Sequence, residues 1–283
     1  MADFDESLPE RVRRKENQLS ASQRLVARYC VTEPAKAGHL TALRIADELG
    51  VSESTVVRFA IKMGYAGFPD MQSSVRRASE QRANLVPAVA HGEIDGHALE
   101  SLQKDLTGLD QSIRALDLAR FAVAVEALDR ARRIHVCGFR TSFSLAFLAE
   151  FHIRQVHPSV RLIDAIGGTH ADDLALIERD DAVLAFTFPV YDERTIAVVE
   201  RGAKVGAATV VVTDSALAPL PLDPQVHTLT VRHESLSFFN SNVAATALLN
   251  AMVVRLVELR SRRDPDFETL LVTRFHQQRG SRL

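Results

Sequence analysis

The sequence predicts two domains of different class, an all-α domain at the N-terminus and an α/β domain behind it. The chain has 283 residues, which is more than a single core usually holds. Up to about residue 82 the apolar residues follow only helical spacing, whereas after residue 133 short β-rich runs alternate with helical patterns. Such alternation is typical of a parallel sheet covered by helices on both faces. We expect a helical domain at 1–82, a linker at 83–97, an α/β domain at 98–270 and a tail at 271–283.

Four short helices are predicted in the first domain, three from their caps and buried stripes and a fourth from Pro69 at a first helical position ahead of "DMQSSVRRASEQR". The candidate caps are Ser20 or Ser22, then Thr41, then Ser52. Gly50 is expected to end the second helix in the left-handed conformation that glycine tolerates best. Val56, Ala60 and Met63 are expected to form the buried side of the third helix.

Charge is distributed unevenly along the chain. Residues 11–82 carry a net charge of +6, so the rest carries −8 and the whole chain −2. A basic segment attached to an acidic body indicates where a polyanion would bind. The start "MADFDESLPE" has no apolar run behind it, and no stretch is apolar enough for a membrane helix, so we expect a cytoplasmic protein without a membrane partner. Two cysteines in apolar patterns, Cys30 and Cys137, suit a reducing compartment.

The segment "LRIADELGVSESTVVRFAIKMGY" reads as two short helices joined by a sharp turn, which fits a helix-turn-helix. Ser54, Arg58 and Lys62 recur every fourth residue, opposite the apolar stripe. The second helix of such a module enters the major groove, where arginine can bind guanine with two hydrogen bonds. The DNA-binding candidates are Thr41, Ser52, Ser54, Thr55, Arg58 and Lys62. The alternative is an ordinary amphipathic helix with a solvated face.

Five runs are predicted as strands of the second domain: "RIHVCG", "VRLID", "DAVLAFTF", "ATVVVTD" and "VHTLTV". Helical patterns cover 142–156, 192–205 and 239–259. In parallel sheets ligands bind at the carboxyl ends of strands. The first run ends in "CGFRTS", where Gly138 permits a tight turn, Thr141 and Ser142 offer hydroxyls, and Arg140 adds a guanidinium suited to phosphate or carboxylate. The alternative is a plain strand-to-helix turn with a serine cap.

Residues 19–78, and "VSESTVVRFAIKMGYAGFPD" above all, closely resemble the N-terminal domain of the RpiR (MurR/RpiR) family of bacterial transcription regulators. The resemblance implies DNA binding. It also implies that residues 118–262 form a sugar-isomerase-type (SIS) domain, a three-layer α/β/α fold with a five-stranded parallel sheet.

SIS domains usually carry a Ser-x-Ser-Gly-x-Thr loop whose hydroxyls hold a sugar phosphate. In "AFTFPVYDERT" Thr187 matches the first Ser and Thr195 the closing Thr, but Pro189 replaces the second Ser and Val190-Tyr191 the glycine turn. These changes argue against an ordinary phosphosugar in the usual pose, and another anion such as a carboxylate is an alternative. "HESLSFFNS" resembles a further family segment, in which Glu234, Ser235 and Ser237 would close over the ligand. The effector candidates are Gly138, Arg140, Thr141, Ser142, Thr187, Tyr191, Thr195, Glu234 and Ser237.

The sequence therefore predicts a transcription regulator with two kinds of partner. One is double-stranded DNA bearing a palindromic operator, and the other is a small anionic metabolite that modulates operator binding. Because one reading helix selects too few base pairs, we expect a homodimer or homotetramer. No cofactor, metal or catalytic residue is predicted, although His170 lies near Asp172 and Asp173.

Two alternatives remain open. One is a phosphosugar isomerase-like enzyme using Glu150, His152 or Glu234 as its base. The other is a DNA-binding protein whose vestigial SIS domain only dimerises.

Overall fold

The structure is a computed structural model that describes residues 8–15, 18–77, 94–189, 191–237, 239–269 and 271–273. The chain divides into two compact units. The first is mainly Met1–Leu102, and the second is mainly Gln103–Ala216, Leu220–Glu234 and Phe239–Leu283. Both predicted fold classes are confirmed, an all-α first unit and a second unit built on a five-stranded parallel sheet.

The first unit consists of short helices: α1 (Leu8–Lys15), α2 (Ala21–Thr32), α3 (Pro34–Ala37), α4 (Ala42–Leu49), α5 (Glu53–Lys62) and α6 (68–77). The Ser20 hydroxyl accepts a hydrogen bond from the Gln23 N–H, and the Ser20 N–H donates to Gln23 Oε1 in return, so Ser20 rather than Ser22 caps α2. Thr41 caps α4 by accepting from the Arg44 N–H, as predicted. Gly50 ends α4 at φ +64°, as predicted.

The buried face of α5 anchors it to the rest of the first unit. Val56, Ala60 and Met63 are fully buried, as predicted, together with Phe59. These side chains pack with Val26 of α2 and Ile45 of α4 in one apolar cluster. Because a well-packed core resists small displacements, α5 presents its opposite face in a fixed orientation.

The helix α7 (Ile94–Ala115) belongs to the second unit from Gln103 onward, and α8 (Leu118–Arg130) follows it. The strands are β1 (Ile134–Cys137), β2 (Val160–Ile163), β3 (Ala182–Phe186), β4 (Ala208–Thr213) and β5 (Val226–Thr230). The intervening helices are α9 (Phe143–Val156), α10 (His170–Ala175), α11 (Glu193–Val205) and α12 (Val243–Arg263). All strand pairs are parallel in the order β2-β1-β3-β4-β5, and the five predicted strand runs are confirmed.

The strand order creates one switch point, between β1 and β3. The chain leaves β1 toward β2 on one side and leaves β3 toward β4 on the other. The loops that follow β1 and β3 therefore diverge at this place, and ligands of open α/β sheets bind in the crevice that results.

Two predicted boundaries are wrong. The linker was expected to reach residue 97, but α7 already begins at Ile94; residues 83–93 lie outside the described chain. Extending a helix by a turn costs little once it is nucleated. The last helix was expected from Phe239 but begins at Val243, because the amides of Asn240 and Asn242 are used to bind neighbouring loops. Of the predicted tail, only 271–273 is described.

Cys30 and Cys137 are free and buried, and burial raises the pKa of both thiols, that of Cys30 to about 12. No helix within the described ranges combines the length and apolar character needed to cross a membrane.

Candidate functional site

The exposed face of α5 carries a cluster of hydroxyls and one guanidinium. Ser52 Oγ lies 2.9 Å from Ser54 Oγ and 2.8 Å from Thr55 Oγ1. Arg58 Nε donates to the Ser54 carbonyl at 3.2 Å, and Nη2 donates to Ser54 Oγ at 3.3 Å. The guanidinium is thus folded against the start of its own helix, with its remaining donors facing solvent.

Two of the predicted DNA-binding residues differ from expectation. Ser52 occupies the cap position of α5 without a side-chain cap hydrogen bond, because its hydroxyl is engaged with Ser54 and Thr55. Lys62 is half-buried, and its amine donates to the Gln18 carbonyl and, at 3.3 Å, to Gln23 Oε1. The Lys62 amine therefore binds within the first unit in this structure, and its contact with DNA stays a prediction.

In the second unit, the loop after β1 passes very close to the loop after β3. A Cβ at Gly138 would lie 2.7 Å from the Ser142 carbonyl oxygen and 3.2 Å from that of Phe186. Glycine is therefore required at position 138 because the backbone approaches so closely that no Cβ fits. The φ of Gly138 is not positive, so conformational strain is not the reason. The guanidinium of Arg194, on the first turn of α11, lies over the Phe139 ring at 4.3 Å.

Arg140 follows Phe139 and adopts φ +57°. A side-chain-bearing residue with positive φ is strained by about 1–3 kcal/mol, and such strain clusters at ligand sites. Arg140 is exposed; its carbonyl accepts from the Phe143 N–H, but its guanidinium forms no hydrogen bond or ion pair with the described residues. Thr141 beside it is also exposed, and its carbonyl accepts from Ser144 Oγ and from the Asn242 amide. Ser142 is buried, and its N–H donates to the Phe139 carbonyl.

Two predicted effector residues are buried hydroxyls without partners among the residues that the structure describes. Thr187 follows β3 and is 2% exposed, and Thr195, in the first turn of α11, is 1% exposed. Neither Oγ1 atom has a hydrogen-bond partner within that part of the chain. A buried polar atom without a partner costs about 1–3 kcal/mol, so each is an unsatisfied donor at the switch point.

The predicted helical pattern began at Asp192, and Asp192 caps α11 by accepting from the Arg194 N–H at 3.0 Å. Thr195, the predicted closing residue of the loop, lies in the first turn of this helix. The Arg194 guanidinium donates twice to the same carboxylate, each time at 2.9 Å. These hydrogen bonds, and the more distant charge of Arg140, hold the pKa of Asp192 below its ordinary value.

The other predicted effector residues are engaged elsewhere. The hydroxyl of Tyr191 donates to Asp214 Oδ1 at 2.8 Å, at the end of β4. Glu234 Oε1 lies 3.8 Å from Arg232 Nη1, and Glu234 Oε2 accepts from the His233 N–H. Ser237 falls in the first compact unit, where its N–H donates to Ser235 Oγ.

Asp192 and Arg194 were not identified from the sequence as site residues. The burial of both ring nitrogens of His170 was not predicted either. Aspartate is among the best cap residues, so the Asp192 position before a helical pattern was a usable signal. Both ring nitrogens of His170 are buried without partners among the described residues, and its ring contacts Phe139 edge-on at 5.8 Å. In that part of the chain no group of three or more His, Cys, Asp or Glu residues could hold a metal ion.

Comparison with known proteins matches both units to described domains. Residues 7–82 match a model described as "Helix-turn-helix domain, rpiR family", and residues 127–255 match a model described as "SIS domain". The chain is 28% identical over 179 residues to an uncharacterized HTH-type transcriptional regulator, YfhH, of Escherichia coli (strain K12). The match covers 59% of this chain and spans 64% of the length of that relative.

Solved structures show the same fold at low identity. The sugar isomerase domain of an RpiR transcription factor from Sphaerobacter thermophilus is 20% identical with a TM-score of 0.57, over 64% of this chain and 98% of that one. The NanR protein of Vibrio vulnificus, solved with ManNAc-6P, is 19% identical with a TM-score of 0.55, over 95% of this chain and 97% of that one. The c3406 protein of E. coli CFT073 is 17% identical with a TM-score of 0.50, over 63% of this chain and 98% of that one.

Proposed function

This chain belongs to the RpiR family of helix-turn-helix transcriptional regulators with a SIS domain, and from that premise we propose a ligand-responsive mode of action. The first unit binds a palindromic operator in double-stranded DNA through α5. The second unit binds a small anionic metabolite, a phosphosugar or another phosphate or carboxylate, and its occupancy changes operator affinity. The protein acts in the cytoplasm.

The geometry of α5 supports the DNA-binding half. Its inner face is fully buried and its outer face offers Ser54, Thr55 and Arg58. Ser52 and Thr41 stand at the starts of α5 and α4, where backbone N–H groups and hydroxyls suit phosphate oxygens. Arg58 would exchange its weak contacts with Ser54 for a base edge, which makes it the specificity-determining contact.

The unsatisfied hydroxyls of Thr187 and Thr195 carry the effector half of the proposal. Both lie at the switch point of the sheet, where Arg140 adopts its strained conformation. An arriving ligand with polar oxygens would satisfy the hydroxyls, and its negative charge would pair with Arg140. Gly138 and Ser142 shape the turn, and Thr141 lies on the exposed side of the same loop.

We propose that the protein is not an enzyme, because two of its three candidate bases are already paired. Glu150 forms an ion pair with Arg154 at 3.2 Å, and Glu234 lies beside Arg232. His152 contacts the Phe151 ring at 5.9 Å on the helix α9, away from the unsatisfied hydroxyls in sequence. A general base for isomerisation needs an accessible site beside the substrate carbonyl. Turnover of a phosphosugar by the purified protein would overturn this part of the proposal.

The surface of the second unit supports assembly into a homodimer or homotetramer. The neighbouring helices α9 and α12 expose Phe147, Phe151, Val243 and Val254. Monomeric proteins seldom expose several large apolar side chains on adjacent helices. Two copies related by a twofold axis would place two α5 helices on the two halves of a palindrome.

A gel-shift experiment tests both halves together. The intact protein is incubated with DNA from the region upstream of its own gene, and the shift is measured with and without a panel of anionic metabolites. We expect a specific shift that one class of metabolite changes. A specific shift that no metabolite changes would favour a vestigial, purely dimerising SIS domain. The absence of any shift with genomic fragments would reject the DNA-binding half.

A further inference from the structure

The start of α11 is an anion-binding position that the chain already fills. Helix N-termini attract anions because several backbone N–H groups have no partner inside the helix. Here the carboxylate of Asp192 occupies that position, accepting from the Arg194 N–H at 3.0 Å. Arg194 then neutralises it with two further hydrogen bonds at 2.9 Å. The cap, the counterion and the charge all come from one three-residue segment.

The sequence around this position lacks the features that would accommodate a phosphate. Pro189 has no backbone N–H, and its carbonyl already accepts from the Asn240 amide at 3.2 Å. The Tyr191 hydroxyl is directed to Asp214. The backbone N–H that a phosphomonoester would need at this helix start is already used by the Asp192 carboxylate.

Arg140 is the remaining charged donor at the switch point. Its guanidinium has no ion pair or hydrogen bond among the described residues, and Arg140 directly follows Phe139, whose ring lies 4.3 Å from the Arg194 guanidinium. A single guanidinium offers a planar fork that fits one carboxylate with two parallel hydrogen bonds. Thr187 and Thr195 supply two buried hydroxyls in need of polar partners, which independently indicates a ligand with oxygen atoms.

We propose that Asp192 and Arg194 replace the phosphate of a ligand, so that this site excludes phosphomonoesters and takes a hydroxylated monocarboxylate bound by Arg140. The proposal rests on the proposed function, since it assumes that the second unit binds an effector at this switch point. It narrows the ligand from anions in general to acids of the sugar-acid type.

The first experiment measures binding of inorganic phosphate by calorimetry and by thermal unfolding, with chloride at equal ionic strength as reference. The test variant is Asp192→Asn, because asparagine caps a helix as well as aspartate but carries no charge. We expect no phosphate-specific effect in the wild type and a saturable rise in melting temperature in the variant. Asp110→Asn is the matched control, since it removes another Asp–Arg pair, with Arg114, on α7.

Either of two results would overturn the exclusion of phosphate. One is wild-type protein that binds inorganic phosphate as well as the Asp192→Asn variant does. The other is an Asp192→Asn variant that remains unresponsive to phosphate, since the carboxylate would then not occupy an anion position.

The second experiment compares matched acids and phosphate esters on the wild type, D-gluconate against D-glucose 6-phosphate and D-glycerate against glycerol 3-phosphate. We expect an acid to bind more tightly than its matched ester. The Arg140→Gln variant should bind that acid with an affinity about ten- to a hundredfold lower. Tighter binding of the ester, or no binding of either acid, would remove the carboxylate assignment. Neither experiment contains DNA, so failure of ligands to change operator binding would count against the proposed function alone.

Discussion

At the scale of single residues, Arg58 and Lys62 illustrate how the same sequence spacing leads to different roles. Both were predicted on the DNA-reading row of α5. Arg58 is exposed and held only by Ser54 within the described chain, whereas Lys62 is tied to the Gln18 carbonyl inside the first unit. A lysine that already binds a backbone carbonyl contributes to the unit's stability as well as to its charge.

We therefore expect Arg58→Ala to weaken operator binding by about 1–3 kcal/mol and to relax the base preference, because it would remove the base contact proposed for Arg58. Lys62→Ala should lower the melting temperature of the first unit, which Arg58→Ala should leave nearly unchanged. Gel shifts over a salt series and thermal unfolding separate the two effects. Operator affinity unaltered by Arg58→Ala would exclude Arg58 from the reading surface.

Thr187 gives the second residue-scale prediction. Thr187→Val keeps the shape of the side chain and removes a buried hydroxyl that lacks a partner among the described residues. Since such a hydroxyl costs about 1–3 kcal/mol in the free protein, the variant should unfold at the same or a higher temperature while binding effector more weakly. Thr187→Ser, which keeps the hydroxyl, is the control. A marked loss of stability in Thr187→Val would mean that the hydroxyl has a partner in the free protein.

At the scale of elements, the turn after β1 depends on the absence of a side chain at Gly138. An added Cβ would lie 2.7 Å from the Ser142 carbonyl and 3.2 Å from the Phe186 carbonyl, and both are backbone atoms that cannot rotate away. We expect Gly138→Ala to destabilise the second unit by about 1–3 kcal/mol through overpacking. Gly67→Ala is the control, because its nearest atom would be Pro69 Cδ at an ordinary 3.8 Å. Urea unfolding that is equal for both variants would contradict this account.

The elements themselves were largely predictable, and the contacts between their ends were not. Buried parallel strands such as Ala182–Phe186 are continuous apolar runs, so sequence alone located all five. The role of Asp192 depends on the conformation of the Arg194 side chain, and Arg140 adopts a positive φ that residues other than glycine rarely adopt. Neither leaves a periodic signal. The start of α12 was placed too early for the same reason, since the Asn240 and Asn242 amides bind distant carbonyls.

At the scale of the whole molecule, three histidines of the second unit make stability depend on pH. Burial lowers the pKa of His135, His157 and His227 below the ordinary value of 6.5. The unfolded chain takes up protons near pH 6.5 that the folded chain does not, so stability present above that pH is lost as the pH falls below it. Asp181 and Asp192, whose pKa values are lowered, affect stability only in more acidic solution.

Urea unfolding from about pH 7.5 to about pH 5.5 should therefore show a falling free energy of unfolding. His157→Gln should reduce the slope, since a glutamine amide can accept from the Ser159 N–H and donate to the Ala131 carbonyl without titrating. Replacing these histidines with arginine would not test the prediction, because arginine adds a permanent positive charge. A flat profile in the wild type over this range would contradict the prediction, because it would mean that the folded and unfolded chains take up the same number of protons.

The last prediction concerns assembly, on which selective operator binding depends. A single α5 contacts only a few base pairs, whereas two copies on a twofold axis read half-sites about 34 Å apart or a multiple of that distance.

Val254 of α12 is 60% exposed and Phe147 of α9 is 56% exposed, so a lysine at either position would leave the fold of one chain intact. Light scattering should give the wild type at least twice the 31.2 kDa of one chain. The double variant Phe147→Lys, Val254→Lys should scatter as a monomer and protect only one half-site in a footprint. Leu222→Lys, at a fully exposed loop position, should leave both properties unchanged. Wild-type protein that is monomeric at micromolar concentration would refute the assembly, and with it the palindromic operator.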